Sequence, residues 1–303
     1  MLDVALLGCG GMMPLPNRYL TSLCLRTNGS MMLIDTGEGT QVTMKLLGWG
    51  FKNIDAICFT HFHADHISGL PGLLLTIGNS CRSEPLTLVG PPGLGRVAQS
   101  LLVIAPELPF DINVIEMEHK KGQTVELCGM QLSAYPMVHR IKCLGYSVYL
   151  ARAGKFDLER AKALDIPVNF WNRLQKGEII EHEGRVYTPD MVMGGARRGI
   201  KVSYCTDSRP PNGLDDFVRD SDLFVCEGIY GENDKLDKAV EHRHMIFREA
   251  AEIASSANVR ELWLTHFSPA LTQPEAFRAN AADIFPNTVI GRDRLSTTLT
   301  FED

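Results

Sequence analysis

Residues 61–66 read His61-Phe62-His63-Ala64-Asp65-His66, so three of the chain's nine histidines and a carboxylate fall within six positions. Imidazole nitrogens and carboxylate oxygens are the donors that bind zinc and similar divalent ions, and ions so held promote hydrolysis by acidifying water. The preceding run Ala56-Ile57-Cys58-Phe59-Thr60 is apolar and predicts a strand. If extended backbone continues into the motif, side chains 61, 63 and 65 share one face, and a turn after Asp65 brings His66 in from a second direction.

Further ligands are expected where other apolar strands end in His or Asp. Residues 131–138 lead into His139, residues 200–206 into Asp207, and residues 261–265 into His266. The last approach, Leu264-Thr265-His266-Phe267, echoes Phe59-Thr60-His61-Phe62. Four strands thus present ligands at their carboxyl ends, where open α/β sheets build their sites. Five histidines and two aspartates exceed the needs of one tetrahedral ion, whereas two ions sharing a bridging carboxylate use all seven. Ligation by His and Asp without Cys suits zinc best and also admits manganese or iron.

The elements that must position these residues are short β-branched or apolar runs at 21–26, 31–35, 54–60, 86–89, 131–135, 145–150, 200–206, 223–227 and 262–265, with helix patterns at 237–256 and 273–284. Early hairpin-like strands followed by strand and helix alternation read as α/β with mixed sheets. No linker divides the sequence, and we read 1–303 as one domain with an inserted arm at about 151–199. That segment is richer in charge and holds a short helix candidate at 157–164. Residues 140–201 carry twelve Lys or Arg against seven Asp or Glu, although the whole chain has a net charge of −6. A basic stretch on an acidic body fits a polyanion, or a solvated helix of mixed charge.

The eight cysteines are scattered without a Cys-x-x-Cys pair, which fits free thiols in a reducing cytoplasm. Residues 1–7 carry an acid and no basic stretch, and read as a strand rather than a signal peptide. No apolar run has the length of a membrane span. The loop Gly8-Cys9-Gly10-Gly11 imitates a dinucleotide fingerprint, but its third glycine would fall at Met13, and Pro14 and Pro16 follow where a helix should begin. A tight loop at the site's edge is expected instead.

The ordered set Asp35-Thr36-Gly37-Glu38-Gly39-Thr40-Gln41, His61 to His66 with Gly69-Leu70-Pro71-Gly72-Leu73, His139, Asp207 and Leu264-Thr265-His266-Phe267-Ser268-Pro269 resembles the ribonuclease Z family. These are metallo-β-lactamase-fold endonucleases that remove 3′ trailers from precursor tRNA. The resemblance runs from about Leu7 to the C-terminus. It implies an α/β fold, an αβ/βα sandwich of two mixed β-sheets flanked by helices, with two zinc ions per chain, precursor tRNA as partner and a homodimer. It places His61, His63 and His139 on one ion, Asp65, His66 and His266 on the other, Asp207 between them, and Asp35 in support of the histidine loop.

His244 matches the family's proton donor, with Ile246 standing where the family usually has Thr, and His242 is read as a surface residue. In the phosphodiester hydrolysis this implies, Asp65 holds or accepts a proton of the attacking water and His244 protonates the departing oxygen. The segment 151–199 lies where the family carries a flexible tRNA-gripping arm, though the Gly-Pro pattern typical of such arms is replaced by residues 166–177. There Phe170, Trp171 and Arg173 are candidates to bind RNA, or to serve local packing or a dimer contact. Two other readings are a hydrolase of a small phosphodiester or other small ester, and a metal-binding protein without turnover.

Overall fold

The run Leu223-Phe224-Val225-Cys226 has no polar alternation, the mark of a parallel strand covered on both faces, and all four side chains are wholly buried. The same holds for Ala56-Ile57-Cys58. Strands of this kind need helical crossovers between them, and the chain supplies them twice.

The computed structural model describes residues 1–195 and 197–302, which group into two compact units: Met1–Leu150 with Ile200–Thr300, and Ala151–Gly199 with Phe301 and Glu302. The first unit opens with an antiparallel meander of β1 (Leu2–Gly8), β2 (Ser22–Thr27) and β3 (Ser30–Ile34). Helix α1 (Thr40–Leu47) then crosses to β4 (Ile54–Cys58), α2 (Ala64–Ile67) and α3 (Leu70–Gly78) to β5 (Leu86–Gly90), and α4 (Leu94–Leu101) to β6 (Ile112–Glu116), all parallel. A second meander, β7 (Gln123–Leu127), β8 (Met130–Met137) and β9 (Cys143–Arg152), repeats the plan.

The second unit contributes α5 (Leu158–Ala163), α6 (Val168–Gln175) and the hairpin β10 (Ile180–His182) with β11 (Arg185–Tyr187). The chain continues through β12 (Arg197–Cys205), α7 (Leu214–Val218), β13 (Leu223–Glu227), α8 (Leu236–His242), α9 (Phe247–Ser256), β14 (Leu262–Thr265), α10 (Ala279–Ala282) and β15 (Thr288–Ile290). β12 to β15 pair in parallel, and β16 (Leu295–Leu299) returns to pair with β1. The result is two seven-stranded mixed sheets, ordered β16-β1-β2-β3-β4-β5-β6 and β15-β14-β13-β12-β9-β8-β7. This is the α/β sandwich of two mixed sheets expected above.

Helices α1, α3 and α4 bury Met44, Leu70, Leu73, Leu74, Ile77, Leu94 and Ala98 in one core with the side chains of β1 and of β3 to β5. Helix α9 buries Phe247, Ala250, Ala251 and Ala254, one apolar stripe at helical spacing.

Two helix expectations are corrected. Residues 237–256 form two helices, because Arg243 adopts left-handed backbone (φ 63°) and the Glu249 carboxylate accepts the Ile246 N–H at 3.1 Å, starting α9 afresh. The pattern at 273–284 yields a 3-10 turn at Pro274–Phe277 and the short α10. Strands β6, β7 and β16, whose side chains are half-exposed or exposed, and β15, which is only three residues long, carry too weak an apolar signal to be read.

The second unit has its own core of Ala161, Ile166, Phe170, Leu174, Ile180, Tyr187 and Val192. Asp157 caps α5 by accepting the Arg160 N–H at 2.9 Å. Phe170 is buried against the rings of Tyr187 and His182, Trp171 donates to the Ile166 carbonyl at 2.9 Å, and Arg173 pairs with Glu178 at 2.7 Å. Phe170 therefore serves local packing and the RNA-stacking expectation does not hold for it, whereas Trp171 is half-buried and Arg173 is exposed.

Glycine at 37 is required by close approach: a Cβ there would stand 2.4 Å from the Asp65 carbonyl oxygen and 2.5 Å from Leu20 Cβ. Gly37→Ala is expected to destabilise by about 1–3 kcal/mol through overpacking. An unchanged thermal unfolding midpoint would refute that.

Candidate metal centre

The ligand-bearing positions lie just past strand ends: His61 after β4, His139 after β8, Asp207 after β12 and His266 after β14. Asp35, Asp207 and His266 each turn the chain through left-handed backbone, with φ of 60°, 49° and 59°. Such backbone costs a residue with a Cβ roughly 1–2 kcal/mol, and non-glycine outliers of this kind cluster at functional sites.

The motif at 61–66 bends earlier than extended backbone would. His63 is the last extended residue (φ −68°, ψ 150°) before α2, and Thr36 N–H pins the turn by donating to the His66 carbonyl at 2.8 Å. Asp65 consequently does not share a face with His61 and His63; it joins His66 and His266.

Two groups of donor atoms result. In the first, His63 Nδ1 lies 2.9 Å from His61 Nε2 and 3.2 Å from His139 Nε2. In the second, His66 Nε2 lies 3.3 Å from His266 Nε2, which is 3.4 Å from Asp65 Oδ2. Asp207 spans both: Oδ2 is 3.8 Å from His61 Nε2 and His139 Nε2, and Oδ1 is 3.1 Å from His66 Nε2 and His266 Nε2. All seven residues named from the sequence are thus brought together, and each group's ligand atoms fall within 4.8 Å of one another.

These spacings match ligands of one ion, since donors about 2.0–2.1 Å from a tetrahedral centre stand about 3.3 Å apart. Asp207 Oδ1 is buried and makes no hydrogen bond despite its close neighbours, as an oxygen aimed at a cation would be.

Protonation agrees in large part. Burial drives His61 well below its ordinary value and lowers His63, and it pushes His139 down to about 4, so all three favour the neutral ligand form. Asp65 and Asp207 are lowered despite burial, by His66 and His266 beside them. His66 is the exception: although burial opposes it, Asp207 and Asp35 on either side raise it, so an ion binding its Nε2 displaces a proton.

Support comes from behind. Asp35 accepts the Thr60 N–H at 2.8 Å and hydroxyl at 2.9 Å, and its other partner, His66 Nδ1, is 2.8 Å away. Thr60 Oγ1 lies 3.0 Å from His61 Nδ1. His61 and His66 are thereby fixed with Nε2 facing the other donors.

His244 stands at the cleft beside these groups, its ring stacked at 5.6 Å on that of His266 and edge-on at 5.5 Å to that of His139. Its Nδ1 lies 2.9 Å from Glu227 Oε2; burial would lower its pKa, but the Glu227 carboxylate overrides this and pushes it up to about 9. Glu227 is not among the residues expected from the sequence, although like Asp207 it is an acid closing an apolar strand. Arg209 holds His244 in place, donating to its carbonyl at 2.5 Å while pairing with Glu249. His242, read as a surface residue, is half-buried and accepts from Arg140 at 3.1 Å. The cleft in front measures about 550 Å³.

Fold and ligand cluster together mark the metallo-β-lactamase fold with a candidate divalent-metal site, and the relatives that follow make the chain a metal-dependent hydrolase. A family model described as Anti-Pycsar protein Apyc1 matches residues 2–97. The chain is 56% identical to a ribonuclease Z of Lachnospira eligens over 303 residues, covering 100% of this chain and 99% of that protein. It is 53% identical over 308 residues to a ribonuclease Z of Clostridium acetobutylicum, covering both completely. Among solved structures, human tRNase Z, short form, superposes with a TM-score of 0.71 at 24% identity, over 99% of this chain and 100% of that one. The chain belongs to the ribonuclease Z family.

Asp35→Asn keeps the shape but weakens the hold on both histidines, and metal affinity should fall about 10–100-fold. Competition with a chelator measures this; wild-type retention would deny Asp35 its supporting role.

Proposed function

We propose that this chain is an endoribonuclease that removes the 3′ trailer of precursor tRNA by phosphodiester hydrolysis, with two zinc ions held by the seven clustered residues. The observation that carries this reading is the division of the Asp207 carboxylate between two ligand groups, with the His244–Glu227 pair beside them. His61, His63 and His139 would hold one ion, Asp65, His66 and His266 the other, and Asp207 both. Bound divalent ions supply acidified water and offset charge growing on the phosphate oxygens.

The chain's own residues do the rest. Asp65 lies in the cleft with its Oδ2 already accepting the Met12 N–H at 2.6 Å, and can accept a proton of the attacking water. His244, kept charged by Glu227, has its Nε2 free to protonate the departing ribose oxygen, which leaves poorly as an alkoxide. Ile246 offers no hydroxyl there; the fit of His244 depends on Glu227 and Arg209. The unit Ala151–Gly199 is the proposed tRNA-gripping arm, on its net positive charge. The free thiols fit a reducing cytoplasm, and a homodimer belongs to the same reading.

Cleavage of a 3′-extended precursor tRNA by the zinc-loaded protein tests this, beside Asp207→Ala and an aryl phosphodiester. Cutting just after the discriminator nucleotide, abolished in the variant, is expected; aryl ester hydrolysis with intact tRNA would point to a small phosphodiester instead. His244→Ala should cost about 10²–10⁴-fold on RNA and far less on an activated aryl ester, whose leaving group needs no proton. Equal losses on both would remove His244 from the acid role.

A further inference from the structure

The loop at residues 8–13 is fixed from several sides and yet presents two methionines to solvent. The N–H groups of Cys9 and Tyr19 both donate to the Asp293 carboxylate, at 3.2 and 2.9 Å. Gly11 N–H donates to the Phe267 carbonyl at 3.0 Å, Phe267 N–H to the Cys9 carbonyl at 2.9 Å, and Met12 N–H to Asp65. Gly11 lies so near His266 that a Cβ would stand 2.7 Å from its ring. Met12 occupies left-handed backbone (φ 69°), a conformation an unbranched apolar residue rarely adopts. Met12 is 65% exposed and Met13 55%, and both line the cleft. Hydrolysis as derived above needs the Met12 N–H and uses neither thioether.

The cleft is chemically divided. On the His139 side stands exposed Arg140, paired with His242. On the Asp65 and His266 side lie Met12 and Met13, and Pro269 and Ala270 also line the cleft. A nucleotide chain offers matching chemistry: charged phosphates, and bases whose faces are apolar once unstacked. Thioethers are polarizable and pack well on aromatic rings, and packing on a base face tolerates any sequence.

Resting on the reading of an RNA substrate, we propose that Met12 and Met13 form a nucleobase subsite. An unstacked base next to the scissile phosphate packs on their thioethers while Arg140 takes a neighbouring phosphate. The site therefore selects RNA that is single-stranded at the cleavage point.

The test is a double-mutant cycle on the zinc-loaded full chain. Wild type and M12Q/M13Q, with side chains of similar length but polar, are compared on intact RNA and on RNA carrying an abasic nucleotide on either side of the scissile phosphate. Losing the base should cost wild type about tenfold or more in kcat/KM. The variant should lose a similar factor on intact RNA and little more on the abasic RNA at one of the two positions. Additive losses at both positions, with full bound metal in the variant, overturn the subsite. If the double variant loses metal, M13Q alone, which keeps the native residue at the left-handed position 12, is run through the same cycle. Wild type that leaves every RNA intact would sink the substrate reading itself, and the subsite with it.

Discussion

Asp35 carries a charge with no access to water, and that is tolerated only because donors occupy its oxygens: the Thr60 N–H, the Thr60 hydroxyl and His66. Each of these partners does something for the site. The bond to His66 fixes one imidazole's tautomer, and the Thr60 hydroxyl, committed to Asp35, fixes that of His61. The network exists because β3 and β4 pair in parallel with Ile34 opposite Cys58, which brings residue 35 and residue 60 to the same edge. Register, rather than local propensity, sets the direction in which the ligands face.

The second sheet uses the same device from the other side. Parallel β12, β13 and β14 end together and deliver Asp207, Glu227 and His266 to one edge. Four nearly or fully buried carboxylates, Asp35, Asp65, Asp207 and Glu227, then crowd against imidazoles. Positive charge must offset these carboxylates: the His66 and His244 imidazoles supply part of it, and a bound divalent cation would supply the rest. The left-handed turns at Asp207 and His266 are strained, and the regular sheets behind them hold that strain in place.

The break between α8 and α9 belongs to the same logic. A continuous helix over 237–256 would satisfy periodicity, but it would carry His244 away from Glu227. The interruption at Arg243 lets His244 meet that carboxylate, while Glu249 starts the next helix and pairs with Arg209. Local helix preference yields to a buried ion pair because the uncompensated Glu227 charge would cost more than one broken helical turn.

The sequence by itself determined the α/β class, most of the central strands and all seven ligand candidates. Buried parallel strands read as apolar runs, and a His or Asp after several such runs, together with the cluster at 61–66, marks the ligand candidates. Resemblance to the ribonuclease Z family extended this to His244 and Asp35. Only the tertiary structure gave the physical reason for the division of the donors that the resemblance implies: α2 moves Asp65 off the face of His61 and His63, and Asp207 reaches both groups from another sheet. It alone showed Glu227 behind His244 and the Met12 N–H on Asp65, contacts whose partners lie far apart along the chain. It also turned Phe170 inward to a local core, since periodicity shows that an aromatic ring will be buried somewhere but not against what. The ligand residue types are a property of the sequence, while their grouping depends on strand register and long-range pairing, to which local patterns are blind.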